Sequence, residues 1–199
     1  MAYRDFTLET VEIQFGIRTE LARLFPNLTP TPIPERLREQ LEDGASVAFA
    51  TEKARSEFII APILLAVRRL SQNHPTIHSG YSLNVAPAEG LSGEIDFLLS
   101  LSPQPVAVRR PILSVIESKR EAIDFGIGQC AAQMVGAVRF NELTGVPATP
   151  MYGCVTSGEN WTFLRLDGNT FTIDTDRYYL NQLDLILAAF LTVTAMAVP

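Results

Sequence analysis

Apolar side chains fall at Leu8, Val11 and Phe15, and again at Leu21, Leu24 and Phe25, with an interruption at Gly16. That spacing predicts two short helical turns over residues 5–25. Residues 26–34 (PNLTPTPIP) carry four prolines, which exclude regular helix and predict a loop joining an N-terminal appendage, residues 1–34, to the body. A helix should follow Pro34 and stop near Gly44. A second is expected over 48–71, with Phe58, Ile59, Ile63, Leu64 and Val67 on its apolar face. Pro62 lies inside it and should kink it, unless the helix is two pieces.

Alternation then predicts strands over 76–86 and 91–101, and an apolar run predicts a third over 112–119, after a turn at 103–105. Helical periodicity returns over 127–143. Strands follow at 151–155 and 161–166, and Asp167-Gly168-Asn169 offers a tight turn into a hairpin partner over 171–174. A leucine-rich amphipathic helix over 181–198 closes the chain. The order predicts one α/β domain, a core over 48–174 with a mixed central sheet flanked by helices.

Composition narrows the class. The 199 residues are 47% hydrophobic with a net charge of −6, which suits a folded domain and excludes disorder as the main state. A negative protein has no global field for polyanions, so any nucleic acid must be held by local basic residues or metal ions. Cys130 and Cys154 are the only cysteines, too few for a disulfide framework. No basic n-region with an apolar run opens the chain, and the most apolar stretch, residues 185–198, is short of the about 20 residues needed to span a bilayer. The expectation is a cytoplasmic protein without membrane contact.

Charge inside apolar runs marks the candidate chemistry. Glu117 and Lys119 lie two residues apart in one strand, so both side chains leave the same face. Asp96 interrupts the preceding apolar strand. If the strands are neighbours, Asp96 and Glu117 meet at one sheet edge, and a hard divalent cation relieves their repulsion by taking both as oxygen ligands. A lysine beside it could orient or deprotonate an attacking water, or stabilise charge growing on phosphorus. Taken alone, an E-x-K at a strand end is a common solvated ion pair worth little.

Four blocks in order, TEKARSEFIIAPILLAVRR, GEIDFLL, VIESKR and GIGQCAAQM, give more. Over about residues 51–133 the chain resembles the PD-(D/E)XK nuclease superfamily, nearest to the N-terminal nuclease of type I restriction-enzyme motor subunits and to a group of cyanobacterial members. The resemblance implies a restriction-endonuclease-like fold and Mg²⁺- or Mn²⁺-dependent cleavage of nucleic acid, DNA before RNA. It assigns Asp96, Glu117 and Lys119 to the catalytic positions and the Ser118 carbonyl to the metal shell beside Asp96 and Glu117. Gln129 matches a glutamine of the following helix that reaches toward the site, and Glu52 or Glu57 matches an acid on the first core helix. Five residues apart, those two glutamates should not share one helix face. The sequence departs from the pattern at Ile95, where proline is usual, and at Gln133, where the restriction-enzyme version has tyrosine.

Arg68, Arg69, Arg109, Arg110, Arg120 and Arg139 are available to grip phosphates, or to serve as ordinary surface charge. His74 and His78 are separated by Pro75 and are expected to be loop residues without a zinc role. Trp161 is expected to fill the core or hairpin rather than stack a base. The closing helix could expose an apolar stripe and form a homodimer, or simply cover the sheet. A rival to the nuclease reading is a nucleic-acid-binding or assembly module that keeps the fold without cleaving.

Overall fold

Two antiparallel meanders, joined by one parallel pairing, organise this computed structural model, which describes residues 1–47, 51–101, 108, 111–119, 123–145 (backbone only for 123–125) and 150–196. The first meander is β2 (Thr76–Ser82), β3 (Glu94–Ser100) and β4 (Ile112–Ser118). The second is β5 (Met151–Thr156), β6 (Asn160–Asp167) and β7 (Thr170–Asp174). β4 and β5 run parallel, so the chain must cross over between them, and it does so through α5 (Ile123–Leu143). With β1 (Arg18–Ala22) on one edge, the order is β1-β7-β6-β5-β4-β3-β2, and the short β8 (Tyr178–Tyr179) pairs with β6. This is the expected α/β architecture, a mixed sheet flanked by helices.

One face of the sheet packs against α2 (Glu35–Ala45), α4 (Ala61–Leu70) and α6 (Leu183–Met196) through a core that includes Leu37, Ile63, Leu64, Phe163 and Phe190. Trp161 is fully buried there, edge-on to Phe190 at 5.8 Å, with its indole N–H donating to the Gly158 carbonyl at 3.2 Å. Ile186, Leu187, Phe190 and Val193 sit in this core, so the apolar stripe of the closing helix covers the sheet. The other face takes α5 together with α1 (Leu8–Phe15) and the N-terminal residues Tyr3 and Phe6. Cys130 belongs to this second core and Cys154 to the first, both as free thiols.

Two elements and one residue stand out against the pattern-based expectation. Residues 18–22 form a strand where a helical turn is expected. Gly16, left-handed at φ 65°, ends α1, and the chain then pairs with the open edge of β7. Leu21 is exposed while Phe25 enters the core. The helix expected over 48–71 has residues 48–50 outside the described part. It continues through Pro62 without a break, as α3 (Glu52–Arg55), a π-helical segment Ser56–Ile60, and α4. Pro62 has no N–H for the Phe58 carbonyl. The Ala61 N–H bonds back five residues to Ser56, so the mismatch is absorbed as a widened turn. His78 lies in β2, buried, with its Nε2 3.0 Å from Ser100 Oγ, so it is a strand residue and not a loop one.

Candidate active site

β4 is buried along its whole length, as a central strand between antiparallel and parallel neighbours should be. Its last residues nevertheless carry the charge. The β3–β4 register pairs Leu98 with Val115 and Phe97 with Ile116, and Asp96 and Glu117 follow at the same end of the two strands. Here the ladder hands over to a side chain. The Ser118 N–H donates to Asp96 Oδ2 at 2.7 Å. The N–H and C=O of an extended residue leave the same strand edge, so the Ser118 carbonyl opens toward Asp96 as well.

Lys119 follows, its backbone N–H donating to the Thr156 carbonyl at 2.8 Å, which keeps it in line with β5. Its ammonium is 2.7 Å from Glu117 Oε1 and donates to Gln129 Oε1 at 2.9 Å. Gln133, one turn further along α5, donates from Nε2 to Glu117 Oε2 at 2.7 Å. The helix can come this close because residue 126 is glycine. A Cβ there would lie 2.9 Å from Lys119 Cγ and 2.6 Å from Val155 Cγ1. At the other end of β4, Asn141 clasps Ile112, accepting from its N–H at 2.8 Å and donating to its carbonyl at 2.9 Å. α5 is therefore pinned to both ends of the strand that carries the E-x-K.

The electrostatics are those of two carboxylates short of positive charge. Burial and the Asp96 carboxylate push Glu117 up to about 7, against the pull of Lys119 and the hydrogen bonds from Lys119 and Gln133. Burial raises Asp96 too, opposed by the Ser118 hydrogen bond and by Lys119, with Glu52 and Glu94 adding repulsion. Desolvation pulls Lys119 down, but the Glu117 carboxylate, its hydrogen bond, Asp96 and Glu52 outweigh that and raise it. The ammonium form is thus the stable one at neutral pH.

Asp96 also lines a groove of about 580 Å³, bounded by α3, the π segment, β2 and β3. Glu52, Glu57 and Glu94 line it with Asp96, against Lys53, over a floor that includes Leu65, Ile77 and Phe97. Glu52 and Glu57 open on the same groove, contrary to the expectation for an α-helix. Five residues of α-helix rotate a side chain by about 140°, and the groove is broad enough to be lined from both positions. The two still differ. Glu52 is felt by both Asp96 and Lys119, while Glu57 lies 3.9 Å from Lys53. From the same helix, Ser56 Oγ donates to Ser118 Oγ at 3.2 Å.

Three of the six arginines are among the described residues. Arg139 is 2.7 Å from Glu89 and stacks 5.3 Å over the Phe15 ring, which commits it to holding the N-terminal segment. Arg68 and Arg69 are exposed in the last turn of α4, where cations suit the helix dipole. Arg109, Arg110 and Arg120 lie outside the described residues. Sequence reasoning left Gln133 without a role and did not single out Glu94 or Ser56. The i, i+4 spacing of Gln133 from Gln129 was the available signal.

Whether a metal fits can be judged from the donor set. Asp96, Glu117 and the Ser118 carbonyl are all hard oxygen donors, and Asp96 Oδ1 receives no hydrogen bond among the described residues. No group of three His, Cys, Asp or Glu able to hold a metal occurs among the described residues, so a closed protein cage is absent there. Mg²⁺ and Mn²⁺ do not need one, since one or two carboxylates with waters and a substrate phosphate satisfy them. The residues fit that kind of ion. No family model matches this chain, and no curated protein matches it either.

Proposed function

We propose that this protein is a divalent-metal-dependent nuclease of the PD-(D/E)XK type, hydrolysing phosphodiester bonds in DNA. The observation that supports it most is the convergence of Asp96, Glu117 and Lys119 at one end of the β3–β4 pair, with both carboxylates raised by burial and Glu117 raised further by Asp96. Structural ion pairs do not need a second buried carboxylate, and a pair so destabilised is suited to holding a cation.

Asp96, Glu117 and the Ser118 carbonyl would hold Mg²⁺ or Mn²⁺. When bound, the ion supplies charge neutralisation and Lewis-acid polarisation at the scissile phosphate. Lys119, kept as an ammonium by Glu117 and Gln129, orients the attacking water and donates to the charge that grows on the phosphoryl oxygens. Glu52, facing the same groove, supports the water or the ion from the helix side. Cytoplasmic residence accords with the two free, buried thiols.

Incubation of plasmid DNA and of single- and double-stranded oligonucleotides with Mg²⁺, Mn²⁺ or EDTA tests the reading. Cleavage is expected only with the divalent ions; Asp96→Ala should abolish it and Lys119→Ala should lower it by about 10²–10³-fold, both remaining folded. Undiminished cleavage by Lys119→Ala would remove the lysine from the mechanism. Failure to cut varied DNA and RNA, together with no Mn²⁺ binding, would favour the non-cleaving module.

A further inference from the structure

Gln133 is fully buried, and so is the carboxylate it touches, Glu117 at 2% exposure. Its Nε2 donates to Glu117 Oε2 at 2.7 Å, whereas its own Oε1 is buried with no hydrogen-bond partner among the described residues. A side chain kept only for packing would avoid that arrangement. Methionine or leucine fills similar volume with no polar atom left unsatisfied. Turning the amide over would set Oε1 against a carboxylate oxygen, so the observed orientation follows from the charge on Glu117. The glutamine is retained at a loss on one atom for what the other atom does.

What that atom does is set by its neighbours. Lys119 occupies Glu117 Oε1 and Gln133 occupies Oε2, so the carboxylate is held at both ends. Gln129, Gln133 and Asn141 fall on one stripe of α5 at multiples of four residues, and each bonds a group at an end of β4 or just beyond it. The stripe fixes strand and helix in one relative position, and Gln133 is its member that reaches a candidate metal ligand.

We propose that Gln133 is the positioning residue for Glu117: its amide N–H fixes the plane of the carboxylate, so that the remaining lone pairs are presented to a divalent cation held jointly with Asp96. This rests on the metal-dependent reading above and names a residue that the motif alone does not supply. Groups that hold a metal's ligands in place commonly govern affinity by 10- to 100-fold.

The test is Mn²⁺ binding by the full chain, followed by calorimetry, with thermal melting in EDTA as a second readout. Gln133→Met should melt close to the wild type and bind Mn²⁺ about 10- to 100-fold more weakly. Wild-type affinity in Gln133→Met would overturn the role and leave the nuclease reading standing. A wild type that binds no Mn²⁺ would overturn both. A wild type whose Mn²⁺ affinity depends on Gln133 but which cuts nothing would sustain this inference and defeat the nuclease reading. Should Gln133→Met fail to fold, a Mg²⁺ titration of the wild type supplies the answer by NMR. The Gln133 side-chain amide signals should shift with Mg²⁺ while those of Asn141, bound to Ile112 at the far end of β4, stay in place. Gln133 signals that do not move at saturating Mg²⁺ would overturn the proposal.

Discussion

Glu117 sits under opposing demands: it ends an apolar strand, is almost wholly buried, and shares its surroundings with Asp96 and Lys119. Its carboxyl is pushed from an ordinary 4.5 to about 7 by burial and Asp96. Between those two values the folded state holds a proton that the unfolded chain releases, so stability falls as pH rises through that window. In EDTA the melting temperature should therefore drop between about pH 4.5 and about pH 7, reflecting on the order of a few kcal/mol. Glu117→Gln should flatten that slope; an unchanged slope in the variant would place the effect elsewhere. Lys119→Ala should lower cleavage by about 10²–10³-fold, the scale of losing one donor to developing charge, with little loss of Mn²⁺ affinity. At this scale the sequence was informative where charge interrupts an apolar run, which marked Asp96, Glu117 and Lys119. It marked Gln133 only as a departure from the pattern and gave it no role, because its spacing from Gln129 gains meaning only once the strand beneath the helix is known.

The elements show why the remainder was harder to read. β1 has an exposed Leu21 and no strong alternation, and its strand state comes from the open edge of β7, a partner some 150 residues away. β8 is two residues long and has no periodicity to find. The π segment is a compromise around Pro62; the proline was legible, but its outcome as a widened turn and not a break was decided by packing. Glu52→Gln should reduce cleavage at least about 10-fold, the lower range for acid–base or ligand-orienting groups, whereas Glu57→Gln should stay within about twofold. The reverse ranking, measured as kcat/KM on one oligonucleotide, would reassign the helix acid. Gly126→Ala should also cripple the site, because its Cβ overlaps Lys119 Cγ and Val155 Cγ1. Both an activity loss and a lower melting temperature are expected, and full activity would show that α5 can withdraw without disturbing Lys119.

At the scale of the whole molecule, a net charge of −6 and a groove edged by Glu52, Glu57, Glu94 and Asp96 leave a polyanion little to hold among the described residues. Binding of DNA should thus be weak in EDTA, steeply salt-dependent, and strengthened by divalent cations; tight, salt-insensitive binding in EDTA, seen by fluorescence anisotropy, would contradict this. The sheet order itself was only partly foreseen, since periodicity identifies strands but not that β4 and β5 lie side by side in parallel. That pairing matters most for function. It puts the E-x-K on a central strand, braced by β3 and β5 and covered by α5, so that the acids and the lysine have one fixed geometry. The most direct measurement is anomalous diffraction from crystals soaked in Mn²⁺. The account predicts a single strong peak within ligand distance of Asp96 and Glu117 carboxylate oxygens and the Ser118 carbonyl. An ordered site with no peak there, or Mn²⁺ bound only elsewhere, would contradict it.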